Sequence, residues 1–545
     1  MKRFKLFELP GTSQLYGGYM RREDKVVSLF GRNPYETASL RAQASALADR
    51  DYDRERLSAI LEERNRALDA DDAALSNCRR LRRPNCLAVV TGQQVGLLGG
   101  PLYTAMKALH AVRLAEFYER ELGQPVVPIF WMELEDHDLD EVSRITVKDD
   151  EHRLHTLQLN TAGASSPSRK PVKDILLGED IERLKSDLEE IWPATEHSRE
   201  IWGLLKASHT PDRTFSEAFG LFQARLLSRF GLILADPSHP AFKRRAAEIF
   251  AREVDGPLTD LDSYAAHTGS ILDAGYDLQV ETRKGHLQLY LLEGGEKRRM
   301  VRSGDRFKLS GSDTKLSRED IEAVLKKEPG RLIPSVLLRP LVQDTLFPTL
   351  AYVGGPAEVA YWAQLTPLYE AVGIPMPAVV PRAGASMMGS ASRRYIRKFE
   401  IELEQGEIFQ AKDALVGHIL SEHIPSHSKH VFRWARREIL EALGRLHDEL
   451  ETDDKGFANA TEAAQQKIEY HLEKLEGKYK RAMERRHEVV VRQIERLSNT
   501  LFPLGLLQER VFPQAQFVNL YGSAAYDLIA EALDPADPDH FFIEV

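Results

Sequence analysis

The chain has 545 residues, with 73 Lys and Arg against 83 Asp and Glu, a formal net charge of -10 at pH 7 and 43% hydrophobic residues. That length admits two or more domains, or one α/β core with large insertions, and the acidic balance argues against a duplex nucleic-acid binder while leaving room for a local basic pocket. Only Cys78 and Cys86 occur, and no apolar run approaches the length of a membrane span, so the sequence predicts a cytoplasmic protein with inert thiols and no membrane or nucleic-acid partner.

Residues 35–82 are rich in Ala, Leu, Arg and Glu at helical spacing and predict a helical lead-in. Cys86–Val90 then reads as a buried strand. The stretch Thr91-Gly-Gln-Gln-Val-Gly-Leu-Leu-Gly-Gly-Pro-Leu-Tyr-Thr104 joins it to an amphipathic helix. Pro101 suits the first helical position, with Leu102, Ala105, Leu109 and Val112 on the apolar face and Gly123 as terminator. Val126–Met132 reads as the next strand, which completes a βαβ unit. A further strand is predicted around Gly231–Asp236, with a helix after Pro240, and residues 162–169 read as a loop. Residues 278–309 alternate like a hairpin around Glu293-Gly-Gly-Glu296.

The Thr91–Thr104 turn has the layout of a phosphate cradle, since Gly96, Gly99 and Gly100 would let an anion approach backbone N–H groups at a helix start. Its spacing fits neither generic nucleotide motif, and a turn that merely packs the helix on its sheet is an equal reading. A second constellation, Glu135-Asp136-His137-Asp138, follows the Val126–Met132 strand at the edge where parallel sheets bind ligands. His137 could bond a triphosphate or act as acid or base. Asp136 or Asp138 could fix its tautomer, receive an ammonium or hold Mg²⁺. The plainer reading is a solvated loop capping a helix near Asp140. No zinc-type spacing is present, so no structural metal is expected.

A third block repeats the first. Leu350–Val353 predicts a strand, Gly354-Gly355 a backbone-exposing turn and Pro356 a helix start, with Glu358, Tyr361 and Trp362 in its first turns. Arg339, Gln343 and Asp344 precede it, and Arg382 follows Val379-Val-Pro381, where it could meet a carboxylate or phosphate. Two such turns in one chain, each with polar residues beside it, point to a shared pocket. Beyond Ser392 the chain becomes charged and helical. Phe432, Ile439, Leu443, Leu446 and Leu450 form one coiled-coil stripe, and Ile468, Leu472, Leu475, Tyr479 and Ala482 another, with a turn at 452–456 and a phase slip near Arg486. An antiparallel helical hairpin follows, and the apolar tail past Thr500 is expected to return to the core.

Thr91-Gly-Gln-Gln-Val-Gly-Leu97 with Gly100-Pro-Leu-Tyr-Thr104, Glu135–Asp138, Leu338-Arg-Pro-Leu-Val-Gln-Asp344, Val353-Gly-Gly-Pro356 and Arg510-Val-Phe-Pro513 together resemble the BshC family of bacillithiol biosynthesis. The resemblance spans the chain in order. It implies a Rossmann-like α/β core over residues 1–390 with connecting-peptide insertions within about 150–230 and 265–345. An α-helical antiparallel coiled-coil domain over 391–500 would support a homodimer, and 501–545 would return to the core. The implied activity is ATP-dependent ligation of L-cysteine to glucosaminyl malate, with ATP and Mg²⁺ and small-molecule substrates. The family core is similar to class I aminoacyl-tRNA synthetases, but the nearest approach to their H-I-G-H signature is His267-Thr-Gly-Ser270, and no K-M-S-K-S loop occurs.

On this reading His137, with Asp136 and Asp138, is catalytic. Binding falls to Gln93, Gln94, Gly96, Gly99, Gly100, Tyr103, Thr104, Lys107, Glu135, Arg339, Gln343, Asp344, Gly354, Gly355, Glu358, Tyr361, Trp362 and Arg382. A nucleotidyl transferase of similar fold and a non-catalytic coiled-coil scaffold are the alternatives.

Overall fold

The computed structural model describes residues 2–136, 138–161, 169–423, 426–450 and 455–545. Met1–Met388 with Leu507–Val545 forms one compact unit, and Gly389–Leu506 a second.

The first unit is built on a five-stranded parallel sheet. In spatial order its strands are Ala378–Pro381, Thr349–Gly354, Leu87–Gln94, Val126–Glu133 and Ile233–Ala235. The chain starts at the central strand, moves outward twice to one side, then crosses to the other, which is the doubly wound Rossmann order. Val126–Met132 is buried throughout, as both faces are covered. Val127, Ile129 and Trp131 enter one core, and Phe130 and Met132 enter another. The helix Tyr103–Leu122 crosses between the two central strands, burying Leu102, Ala105, Leu109 and Val112 beside it and ending at Gly123 with φ 68°. It begins two residues later than the sequence predicts, because Pro101 bridges to Pro513 and the Leu102 N–H donates to the Phe512 carbonyl.

The expected hairpin is present as His286–Glu293 and Glu296–Ser303, within a five-stranded antiparallel sheet completed by Arg306–Leu309, Lys315–Leu316 and Leu332–Pro334. The C-terminal segment rejoins this unit, where His540–Glu544 lies between Lys2–Phe4 and Gly384–Met388. Cys78 and Cys86 are buried and unpaired, and burial pushes their thiols up to about 12 and about 11.

In the second unit, helices Ser426–Leu450 and Lys455–Arg486 pack antiparallel, with Phe432 against Tyr479 and His447 bonded to Thr461. The predicted slip is a real break, since a new helix starts at Glu488. The seam is narrower than the stripes suggest, because Leu446 and Leu475 are exposed. Residues 452–454 of the predicted turn and 162–168 of the predicted loop lie outside the described residues. No helix among the described residues is long and apolar enough to cross a membrane.

Candidate active site

Strand order reverses between Leu87–Gln94 and Thr349–Gly354, so the helices after these two strands diverge and leave a crevice at the carboxyl edge. A cavity of about 860 Å³ occupies that edge. Gln93, Gln94, Trp131, Glu133, Gly355 and Arg382 line it from the strand ends, while the antiparallel sheet contributes His286, Gln288, Tyr290, Lys297 and Arg299.

A buried ion pair closes the switch point. Lys107, from the helix after the first strand, is 1% exposed and meets Glu358 of helix Pro356–Trp362 at 2.5 Å. The Lys107 ammonium also donates to the Gly92 carbonyl and to Gln93 Oε1, so all three of its protons have acceptors. Glu358 accepts from the Tyr352 hydroxyl at 2.5 Å and the Gly355 N–H at 2.8 Å. Burial works against its charge, but Lys107 and these donors outweigh burial and hold the carboxyl below its usual range. Glu358 keeps 23% of its side chain open to the cavity, and is therefore both anchor and wall.

Around Tyr103 the cations gather. Its hydroxyl accepts from Gln93 at 2.9 Å, and the guanidinium carbons of Arg382 and Arg510 lie 5.4 and 5.9 Å from its ring centroid. Arg382 is neutralised by the fully buried Glu509 at 2.6 Å. Arg510 has no ion pair among the described residues, and burial followed by repulsion from Arg382 lowers its pKa. Gln94 Nε2 is buried without a hydrogen-bond partner, an unspent donor on the cavity wall.

The acidic wall is Glu133 and Asp136. Glu133 accepts from the Trp131 indole at 3.2 Å and lies 3.8 Å from Arg339. Burial raises its pKa, with Arg339 opposing and Glu135 and Asp136 adding to the rise. Asp136 stands 3.5 Å from Lys297. Beneath them Arg339 donates to Gln343 at 3.0 Å and to the Tyr352 and Tyr361 hydroxyls at 3.3 Å. Tyr352, Trp362 and Tyr369 stack behind it.

Of the residues singled out in sequence, Gln93, Gln94, Tyr103, Lys107, Asp136, Arg339, Gly355, Glu358, Tyr361 and Arg382 line this one cavity. Others stand elsewhere. Gln343 and Asp344 are buried behind Arg339, where Asp344 holds Gln343 and Tyr369 and burial raises its carboxyl to about 6. Trp362 belongs to the aromatic stack, and Gly354 ends its strand. Glu135 pairs with Lys243 at 2.5 Å, both 3% exposed, because a carboxylate there needs a partner. Asp138 caps the helix Leu139–Val142 by accepting from the Glu141 N–H at 3.0 Å, as the plainer sequence reading has it. His137 lies outside the described residues.

The glycine turn is largely spent on protein contacts. A Cβ on Gly99, whose φ is 85°, would stand 2.4 Å from Phe222, and the Gly99 carbonyl accepts from Gln223 and Gln514. The Leu98 N–H donates to His209 Nε2 at 3.1 Å, and the Gly100 and Thr104 N–H groups are taken by Leu97 and Pro101. Thr104 is fully buried, while Gly96 and Gly100 face a separate recess of about 60 Å³. The cavity-facing part of the motif is thus Gln93, Gln94 and Tyr103.

Sequence reasoning missed Glu133, Arg510 and the antiparallel wall. A signal for the wall exists: His286, Gln288 and Tyr290 alternate with the buried Leu287, Leu289 and Leu291, the pattern of a strand with one polar face on a cavity.

Residues 3–383 match the family model described as bacillithiol biosynthesis BshC, N-terminal Rossmann-like domain, and residues 387–545 match its C-terminal coiled-coil domain. Relatives named "Putative cysteine ligase BshC" include those of Koribacter versatilis, 33% identical over 99% of both chains, and Solibacter usitatus, 30% identical over 98% of this chain and 97% of the relative. That of Bacillus cereus strain AH187 is 28% identical over 97% of both. With both family domains matched in order along one chain, this protein belongs to the bacillithiol biosynthesis BshC family.

Proposed function

We propose that the chain is an ATP-dependent ligase that joins L-cysteine to the amine of glucosaminyl malate in the last step of bacillithiol biosynthesis. The observation that carries this reading is the cavity at the Rossmann switch point, which sets seven lysines and arginines against four carboxylates in a protein of net charge -10. Such local inversion of charge suits anionic ligands, and both a triphosphate and a malyl group are anionic. The names of the relatives supply the amino acid.

The residues fit a polyphosphate. Arg510 lacks a counterion among the described residues, Gln94 Nε2 lacks an acceptor, and both line the cavity beside Tyr103. ATP would supply the activation that makes the cysteine carboxylate an electrophile. Gln93, Gln94 and Arg510 would hold its phosphates, with Lys107 and Arg382 fixing the floor through their own ion pairs. No group of three or more His, Cys, Asp or Glu stands ready for a metal among the described residues, so Mg²⁺ would arrive with the nucleotide and meet one or two wall carboxylates. Glu133 and Asp136 would receive the acceptor ammonium and take the proton it must lose to become a nucleophile, before the free amine attacks the activated carboxyl and displaces its leaving group. Burial raises the Glu133 pKa, which makes it a stronger base than an exposed carboxylate. The catalytic role of His137 rests on its position between Asp136 and Asp138 in sequence.

The test is a reconstitution with the full chain, L-cysteine, glucosaminyl malate and MgATP. The product mass is read alongside AMP and ADP. The reading expects a cysteine adduct whose formation and nucleotide turnover both require cysteine. Nucleotide turnover without cysteine dependence would favour the transferase alternative. No ATP- or cysteine-dependent thermal stabilisation would favour the scaffold, since a ligand that binds the native state must raise its stability.

A further inference from the structure

The cations of the cavity divide by how their charge is answered. Lys107, Arg382, Arg339 and Lys297 each have a carboxylate within 4 Å, respectively Glu358, Glu509, Glu133 and Asp136. Arg299 forms no ion pair among the described residues. It is held instead by neutral acceptors, the Tyr290 hydroxyl and the Leu287 carbonyl, and its guanidinium carbon lies 4.5 Å from the Tyr290 ring centroid. Lys297 lies over the same ring at 4.7 Å. Tyr290 and Arg299 are cross-strand partners in the hairpin, so two strands fix one aromatic ring with two cations against it.

We propose that this hairpin wall, with Arg299 as its specificity-determining residue, is the subsite for the carboxylates of the acceptor's malyl group. The assignment rests on the ligase reading above. A guanidinium positioned by neutral acceptors and lacking a counterion is pre-oriented for a ligand carboxylate, which it can bind through two parallel N–H donors. Lys297, tethered to Asp136 at 3.5 Å, adds a second cation for the second carboxylate. His286 and Gln288, on the same face, add polar groups that suit a hydroxylated acid better than an apolar one. The Tyr103 wall, which carries Arg510 and the open Gln94 amide, is left for phosphate. Acceptor and nucleotide would then enter from different secondary-structure elements, with Glu133 and Asp136 on the strand edge that both face.

The test compares wild type with Arg299→Gln and Arg299→Lys, each checked for an unchanged melting profile. Lys297→Gln is the second variant should the first fail to fold. Thermal stabilisation by L-malate alone and the KM values for glucosaminyl malate and for ATP are measured. Loss of one charge-assisted contact should raise the acceptor KM by roughly tenfold or more, abolish the malate shift and leave the ATP KM within about twofold, with Arg299→Lys recovering part of the loss. Wild type should discriminate glucosaminyl malate from a methyl glucosaminide lacking the malyl group, and Arg299→Gln should narrow that gap. An ATP KM that rises while the acceptor KM holds would overturn the proposal in favour of a phosphate subsite. If wild type makes no cysteine adduct but still shows a malate shift that depends on Arg299, the ligase reading fails while the carboxylate subsite stands.

Discussion

Replacing Glu358 by Gln tests whether the ion pair under the cavity is as tightly coupled as its geometry implies. The change keeps size and shape but leaves Lys107, 1% exposed, without a counter-charge and with only neutral acceptors: the Gly92 carbonyl, Gln93 Oε1 and the new amide oxygen at position 358. An uncompensated buried charge costs about 3–5 kcal/mol, unless the group sheds its proton. For lysine that escape sets a ceiling. Neutralising an amine of ordinary pKa about 10.4 costs about 1.4 kcal/mol per pH unit below that value, or about 4 kcal/mol at about pH 7.5 and about 1 kcal/mol at about pH 9.5. Burial already presses the Lys107 pKa downward, and without Glu358 that pressure is unopposed by its nearest counter-charge. Between the depressed folded value and 10.4 the unfolded chain binds more protons than the folded one, so the variant should gain stability as pH rises through this window. Urea unfolding of both proteins at about pH 7.5, 8.5 and 9.5 should give a difference that shrinks as pH rises, by at most about 1.4 kcal/mol per unit. Lys107→Met combined with Glu358→Gln should recover most of the loss. A difference below about 1 kcal/mol at about pH 7.5, or one flat across pH, would refute the coupling.

Four further outcomes are expected. Gly99→Ala must place a Cβ 2.4 Å from Phe222 at φ 85°, so it should cost about 3 kcal/mol in urea midpoint analysis. Gly96→Ala, which stands 3.2 Å from the Gly100 Cα and lines only the small recess, should cost under about 1 kcal/mol and leave the ATP KM within about twofold. His209 is fully buried and burial lowers its pKa to about 3, so its neutral form, with Nε2 accepting the Leu98 N–H, is the folded one. Below the ordinary histidine pKa of about 6.5 the unfolded chain takes a proton that the folded chain refuses, which removes about 1.4 kcal/mol of stability per pH unit. His209→Gln retains an acceptor without that titration and should lose about 1.4 kcal/mol less than wild type between about pH 7.5 and about pH 5.5; an identical loss would show that His209 is not buried neutral. His137→Ala should lower cysteine-adduct formation by about a hundredfold or more with an unchanged melt; near-normal turnover would remove His137 from the proposed chemistry.

The strands and helices around the site were legible because each carries a local signature. Val126–Met132 is apolar throughout, Gly123 ends its helix in a left-handed conformation, and Glu293-Gly-Gly-Glu296 turns a hairpin. What each glycine and carboxylate does was not legible from the same signatures. A glycine at positive φ reads alike whether an anion or a phenyl ring takes the space a Cβ would fill, and at Gly99 that space belongs to Phe222, 123 positions away in sequence. In Glu135–Asp138, Glu135 turns to Lys243 and Asp138 caps a helix, partnerships set by the fold and by local geometry respectively.

The cavity itself follows from topology more than from either glycine turn. Any chain that runs outward from a central strand and then crosses back opens a crevice between that strand and its later neighbour. Here the two strands bordering the crevice end in Gln93-Gln94 and Gly354-Gly355, and their helices carry Lys107 and Glu358, so pairing the two turns in sequence was equivalent to finding the switch point. The hairpin wall could not be found that way, because it enters as an insertion between the third and fourth strands of the sheet and its polar face gains meaning only once it stands over the crevice. Residues at the strand edge are therefore placed by the topology of the core, whereas Arg299 and Tyr290 are placed by the inserted sheet. On the proposed reading, the insertion sets the acceptor without disturbing the floor formed by Lys107 and Glu358.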